Sequence, residues 1–152
     1  MSSVLVNAFK MVRGNAPLPE ILAEIAEVIG HNSALKVAHR YRGTKLRVPK
    51  YANRRPDSNP IIRLIGRDHA VKLGAFLSGD TINVPVGPFN QSVEQLYQFS
   101  KLRKNGHSVE RAAHTVKIHG RTGTRWEALI RDGQITNNDL AAYGKLIGDD
   151  WS

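Results

Sequence analysis

The feature that most constrains this chain is that part of it repeats. At a constant offset of 36 residues, with no gap, Ile25 aligns with Ile61, Ile29 with Ile65, Gly30 with Gly66 and Ala34 with Ala70. The same offset pairs Lys36 with Lys72, Gly43 with Gly79, Val48 with Val84 and Pro49 with Pro85. Conservative pairs fill the spaces: Asn32 with Asp68, Leu35 with Val71, Val37 with Leu73, Leu46 with Ile82. The matches fall on caps, stops and apolar positions, where a fold restricts chemistry most. A duplicated unit explains them better than a shared bias toward helix.

Each copy reads as helix, helix, strand. Pro17-Leu18-Pro19 opens the first helix, because proline fits a first turn whose N–H groups need no intrahelical partner. Leu18, Ile21, Leu22, Ile25, Val28 and Ile29 follow at helical spacing, and Gly30 stops the run. Asn32 is placed to cap the second helix, whose apolar side is Ala34, Leu35, Ala38 and Tyr41. Gly43 ends it. Thr44 to Val48 then alternates polar and apolar, the period of a half-buried strand, and Pro49 closes it. A lone strand leaves its edge open. Two copies solve that by pairing their strands antiparallel about a pseudo-twofold axis. The outward residues differ: Lys45 and Arg47 in the first copy, Thr81 and Asn83 in the second.

The rest of the chain is helical in pattern. Ser92 precedes a helix carrying Val93, Leu96, Tyr97, Ser100 and Leu102, ended by Asn105-Gly106. Ser108 caps a helix with Val109, Ala112, Ala113 and Val116 on one side. A break follows, from about Lys117 to Thr122, and Thr122 or Thr124 starts a helix with Trp126, Leu129 and Ile130 inward. Thr136 with Asp139 resembles a capping box before the last helix. The expected fold is therefore mostly α. A duplicated helix–helix–strand module spans 17–86, with repeats 24–50 and 60–86 and a two-stranded antiparallel ribbon. A helix-turn-helix domain spans 92–148. Residues 1–16 are weakly patterned and read as a tail, and 148–152 as a frayed end.

Charge says what such a fold meets. The 152-residue chain carries 22 Lys and Arg against 13 Asp and Glu, a formal net charge of +9. The excess is concentrated. Lys36, Arg40, Arg42, Lys45, Arg47, Lys50, Arg54 and Arg55 have no acid among them, and Lys101, Arg103, Lys104, Arg111, Lys117, Arg121 and Arg125 are opposed only by Glu110. One-sided charge costs repulsion that a mixed solvated face avoids, so two contact surfaces for a polyanion are expected, and nucleic acid is the default partner.

The segment Asn105–Ile130 carries the sharpest functional signal. A helix with small Ala112 and Ala113, a tight break and a second helix locked by Trp126 and Leu129 are what a helix-turn-helix requires. Arg121-Thr122-Gly123-Thr124-Arg125 would then lie at the start of the reading helix. Thr124, Arg125 and Arg121 are the candidates for base edges, since arginine can take guanine O6 and N7 with two donors. Lys117, Thr122, Lys104 and His107 are the candidates for the DNA backbone there. Lys45, Arg47, Lys50, Arg54 and Arg55 form a second backbone-directed contact.

The residues also exclude chemistry. No cysteine is present, which removes thiolate catalysis and cysteine zinc sites. His107, His114 and His119 have basic neighbours, and Glu110 and Glu127 lie on different helices. We expect no metal, no cofactor and no enzyme. No apolar run approaches the ~20 residues of a membrane span, and no basic, apolar start suggests a signal peptide. A cytoplasmic protein with no membrane partner is the expectation.

Leu18-Pro19-Glu20-Ile21-Leu22-Ala23-Glu24-Ile25, Ala34-Leu35-Lys36-Val37-Ala38 and Gly43-Thr44-Lys45-Leu46-Arg47-Val48-Pro49-Lys50 resemble the phage middle-operon regulator (Mor) and C transcription activator family. Asn105-Gly106-x-Ser108-Val109 resembles the start of that family's DNA-binding unit. The resemblance implies an activator of a phage or mobile-element promoter, with the strand region assisting and the C-terminal unit in the major groove. It also implies RNA polymerase and a second subunit, or a homodimer, as partners, on the nucleoid of a bacterial host. Two departures stand out. Arg47 occupies the family's usual tyrosine position, and the second copy precedes the DNA-binding unit. The latter suggests that one chain supplies a dimer core by itself. A basic adaptor or inhibitor of another nucleic-acid-associated protein, and a DNA-packaging subunit, are the rival classes.

Overall fold

The protein is described by a computed structural model covering residues 3–86 and 89–152. In chain order its elements are α1 (Ser3–Val12), α2 (Glu20–Ile29), α3 (His31–Tyr41), β1 (Lys45–Arg47), a 3-10 turn (Ala52–Arg54), α4 (Pro60–Ile65), α5 (Arg67–Leu77), β2 (Thr81–Asn83), α6 (Gln91–Lys104), α7 (Val109–Thr115), α8 (Gly120–Arg131) and α9 (Asn137–Ile147). The chain is thus mostly helical with one small two-stranded antiparallel sheet. It forms two compact units, Pro17–Gly87 and a second assembled from Met1–Ala16 with Pro88–Ser152. Among the described residues no helix is long and apolar enough to cross a membrane.

In the unit Pro17–Gly87, the helix pairs are joined without a loop. Gly30 adopts φ 90° and ψ 161°, donates its N–H to Ala26 O at 2.8 Å, and accepts from Ala34 N at 3.1 Å. It therefore ends α2 and begins α3 at one residue, in a conformation that only glycine adopts without strain. Gly66 repeats the arrangement between α4 and α5, with φ 89° and ψ 159°. Asn32, expected to cap α3, lies inside its first turn instead. Gly30 performs the reversal through its backbone, so no side-chain cap is used.

α2 packs on α3 and α5, and α4 packs on α5 and α3. The strands pair antiparallel with register Lys45↔Asn83, Leu46↔Ile82 and Arg47↔Thr81. Leu46 faces inward while Lys45, Arg47, Thr81 and Asn83 are exposed. Leu22, Ile25, Leu35, Val37, Leu46, Val48, Ile61, Leu73 and Val84 make the core. Each such aliphatic side chain contributes roughly 1.5–3 kcal/mol by leaving water. The segment after β1 is tied to α5 through Arg67, which donates to Ala52 O at 3.1 Å and pairs with Asp57.

The second unit corrects two expectations. Residues 1–16 are not a tail. α1 packs on α9 and α6, and Ala8, Phe9 and Val12 are buried. Phe9 meets Tyr143 edge-on at 5.7 Å between centroids, and Arg13 pairs with Asp139 at 3.3 Å. Nor is the stretch after α9 frayed. Tyr97 Oη donates to Asp149 Oδ2 at 2.8 Å, and Lys101 Nζ donates to the same oxygen at 2.7 Å. Lys104 Nζ donates to Trp151 O at 2.6 Å and lies 4.6 Å from the centre of its ring. The Trp151 ring packs on Tyr97 at 5.6 Å. Burial, followed by the bond to Asp149, pushes the Tyr97 hydroxyl pKa well up. The bonds from Lys101 and then Tyr97 hold the Asp149 carboxyl below its ordinary value. α9 starts with the capping box read from Thr136 and Asp139. α6 is capped by Asn90, whose side chain accepts from Val93 N at 3.2 Å, and not by Ser92.

Candidate nucleic-acid interface

The site is built on α7 and α8. Ser108 caps α7 by accepting from Arg111 N at 3.1 Å. The helix ends by wrapping back on itself: Lys117 N donates to His114 O at 3.1 Å and Ile118 N to Ala113 O at 3.0 Å. This is a Schellman closure. It puts Lys117 at φ 64°, a left-handed position more often held by glycine. Gln95 on α6 fixes the same turn by donating to Val116 O at 3.0 Å.

His119 then caps α8, its Nδ1 accepting from Arg121 N at 3.2 Å. The helix therefore begins at Gly120, not at Thr122 or Thr124, and only residues 116–119 separate the two helices. The expected break is too long because Gly120 reads as part of it and the threonines read as the helix start. Gly123 has a packing reason to be in the helix. A β-carbon there would lie 3.0 Å from Ala113 Cβ and 3.4 Å from Phe99 Cε1, so its absence lets α8 approach α7 and α6 closely. Trp126 is buried and meets Phe99 edge-on at 5.9 Å, and Leu129 is buried beside it. Ile130, expected inward, is only half-buried.

With that face turned in, Arg121, Thr124 and Arg125 are exposed and Thr122 is half-buried. Thr124 Oγ1 donates to Gly120 O at 3.1 Å, which leaves its oxygen able to accept from a ligand. Lys117 is exposed on the turn. Among the described residues no acidic side chain pairs with Arg111, Lys117, Arg121 or Arg125. Arg111 is exposed on α7 and was missed in the sequence reading. Its position three residues after the capping Ser108 was the available signal.

Not all of the 101–125 charge is available. Lys101 is bound to Asp149. Arg103 pairs with Glu127 on α8 and donates to His107 O at 2.8 Å, and the bond to Glu127 raises its pKa further. Lys104 is engaged by Trp151. His107 lies half-buried in the α6–α7 loop, where Asn105, Gly106, His107, Ser108 and Arg111 line a shallow concavity of about 380 Å³. Among the described residues no three His, Asp or Glu side chains gather as metal ligands.

The second set of candidates belongs to the other unit. Lys45 and Arg47 project from β1, and Lys50, Arg54 and Arg55 are exposed on the segment after it. Tyr51, also missed, is 56% exposed, with Lys50 Nζ at 5.8 Å and Arg54 Cζ at 5.1 Å from its ring centre. No family model, no curated protein and no solved structure matches this chain.

Proposed function

We propose that the protein is a sequence-specific double-stranded DNA-binding regulator of transcription, with α7 and α8 as its helix-turn-helix. The observation that carries this reading is the exposed start of α8. Arg121, Thr124 and Arg125 face solvent without acidic partners, while Gly123, Trp126 and Leu129 hold the same helix against α7 and α6. A rigid support helix with a cationic, threonine-bearing second helix is the arrangement that enters a major groove. Lys117 and Arg111 then meet flanking phosphates, and Lys45, Arg47, Lys50, Arg54 and Arg55 supply a further sequence-independent contact.

The unit Pro17–Gly87 is proposed to be a duplicated element that reproduces a dimer core within one chain. Two residues meet their own counterparts at the offset of 36: Leu46 pairs with Ile82, and Ser33 Oγ lies 2.9 Å from His69 Nδ1. Antiparallel strands that set equivalent residues opposite each other imply a local twofold axis, and the Ser33–His69 contact fits the same axis, so both contacts support the duplication. Activation of a phage or mobile-element promoter, RNA polymerase as partner and a nucleoid location rest on the Mor-like motifs alone.

The test is selection from a random duplex pool followed by mobility shift. The expected result is one enriched motif, a loss of preference at one base step in Arg125→Ala, and a uniform weakening in Lys45→Ala with Arg47→Ala. Loss of both phosphate contacts also flattens the log–log salt dependence by about 1.8. No enrichment together with unchanged affinity in both variants overturns the reading. A protein partner retained after nuclease treatment would then favour the adaptor class.

A further inference from the structure

The unit Pro17–Gly87 contains a groove of about 610 Å³ lined by Arg47, Lys50, Tyr51 and Arg55 from the first half and by Ser78 and Gly79 from the second. The size is within the range of sites that enclose small organic groups, about 300–1,000 Å³. No acid is among its lining residues. Of the acids close to it in the chain, Asp57 is paired with Arg67, and Asp80, next to the lining Gly79, is exposed to solvent.

The corresponding place in the other half is different. At the offset of 36, Arg47 and Lys50 become Asn83 and Val86, so both cations are lost. Gly43 corresponds to Gly79, and Val86 lies against it: a β-carbon on Gly43 would stand 3.1 Å from Val86 Cγ2. The groove is therefore not a by-product of the repeated backbone. It exists where the two halves differ: Arg47 and Lys50 are replaced by Asn83 and Val86, Ser78 stands where the first half has Arg42, and Tyr51 and Arg55 come from the segment that follows the first repeat.

We propose that this groove binds a single-stranded segment of DNA, with one unpaired base stacked on Tyr51 and the flanking phosphates on Arg47, Lys50 and Arg55. A tyrosine with more than half its surface in water gains by covering its ring with another flat π-system, and a paired base inside a duplex has no free face to offer. Lys50 Nζ and Arg54 Cζ lie 5.8 and 5.1 Å from the ring centre, and Arg47 and Arg55 line the same groove, so cations stand near the ring as phosphates flank an unpaired base. The inference deepens the reading of the 45–55 cations as nucleic-acid contacts and does not depend on α8.

The experiment is fluorescence anisotropy on the full chain with a labelled oligothymidylate of about twelve nucleotides and, separately, a blunt hairpin duplex. Tyr51→Ala is expected to weaken oligothymidylate binding about tenfold, Tyr51→Phe to bind like the wild type, and both to leave the duplex unaffected. With the selected motif placed in the hairpin, Arg125→Ala is expected to do the reverse, so failure of the α8 reading and failure of this one are seen in different arms. Unchanged oligothymidylate affinity in Tyr51→Ala overturns the proposal. So does displacement of the strand by tripolyphosphate with equal ease from wild type and Tyr51→Ala, which would mark a plain polyanion patch. Displacement by thymidine monophosphate at micromolar concentration would assign the groove to a free nucleotide and overturn the strand.

Discussion

The two halves of the unit Pro17–Gly87 make the same backbone decisions and opposite surface decisions. Gly30 and Gly66 agree within a few degrees, and the helix pairs cross-pack in the same pattern, α2 on α5 and α4 on α3. Outside, Lys45, Arg47 and Lys50 stand against Thr81, Asn83 and Val86, and Lys45 and Asn83 are direct partners across the ribbon. Positions that set chain direction have little freedom, since any β-carbon at φ near +90° is strained. Exposed strand positions are constrained only by what they meet. On the proposed duplication and the proposed nucleic-acid surface, shared architecture with divergent exterior is what is expected when one half keeps a ligand surface and the other is kept for the core it completes.

The largest way to break the comparison lies at position 74. Ala38 in α3 corresponds to Gly74 in α5, and both are buried. A β-carbon on Gly74 would overlap the Pro49 carbonyl oxygen, a backbone atom that cannot move aside. Gly74→Ala is therefore expected to cost about 3 kcal/mol despite its better helix propensity. Ala38→Gly should cost only about 1–2 kcal/mol, from propensity and a lost methyl. Chemical denaturation of both variants decides it. Equal costs would mean that the two halves pack alike and that α5 does not approach the segment after β1 as closely as described.

Next in size is a transplant of surface. Thr81→Lys with Asn83→Arg gives the second strand the chemistry of the first without touching its inward Ile82. On the proposed DNA surface this adds about two phosphate contacts and steepens the log–log salt slope by about 1.8. Duplex binding followed across a salt series measures it. A slope that does not move would mean that the ribbon does not face the duplex.

At the axis, Ser33→Ala and His69→Ala each remove one side of the 2.9 Å contact. Each is expected to cost about 1 kcal/mol, with the double variant well below the sum, because a second deletion leaves nothing more to break. Strict additivity would show that the two residues do not meet.

Legibility followed the same division between local and distant constraint. The stop at Gly30, the caps at Ser108 and Thr136 and the inward Trp126 were readable because each is settled by residues within a turn or two. α8 starts earlier than expected because Gly120 looks like punctuation, and only the approach of Ala113 explains why Gly123 is needed inside the helix. Lys117 in a left-handed turn carries no sequence signature. α1 was read as a tail because its three buried residues acquire meaning only against Tyr143, far along the chain. Within the basic segment, pattern could not separate Arg103, spent on Glu127, from Arg125, which remains exposed.

The smallest effect contrasts the unit Pro17–Gly87, tied by Ser33 and His69, with the other, tied through the last residues of the chain. Asp149 accepts from Lys101 and Tyr97, and these bonds hold its carboxyl below the ordinary range. A carboxyl whose folded pKa is depressed stabilises the fold fully above its unfolded value, about 3.9. That contribution is lost as pH falls through the lower folded value, because the folded chain then resists a proton that the unfolded chain takes up. Asp149→Asn should lower the melting temperature slightly near neutral pH. The gap to wild type should close below about pH 4. A gap that persists unchanged into acid would show that the ionised carboxylate is not what ties residues 148–151 to α6. The packing of Trp151 on Tyr97 would then be the fastening, and the contrast with the Ser33–His69 hydrogen bond of the unit Pro17–Gly87 would rest on an aromatic contact instead of a charge.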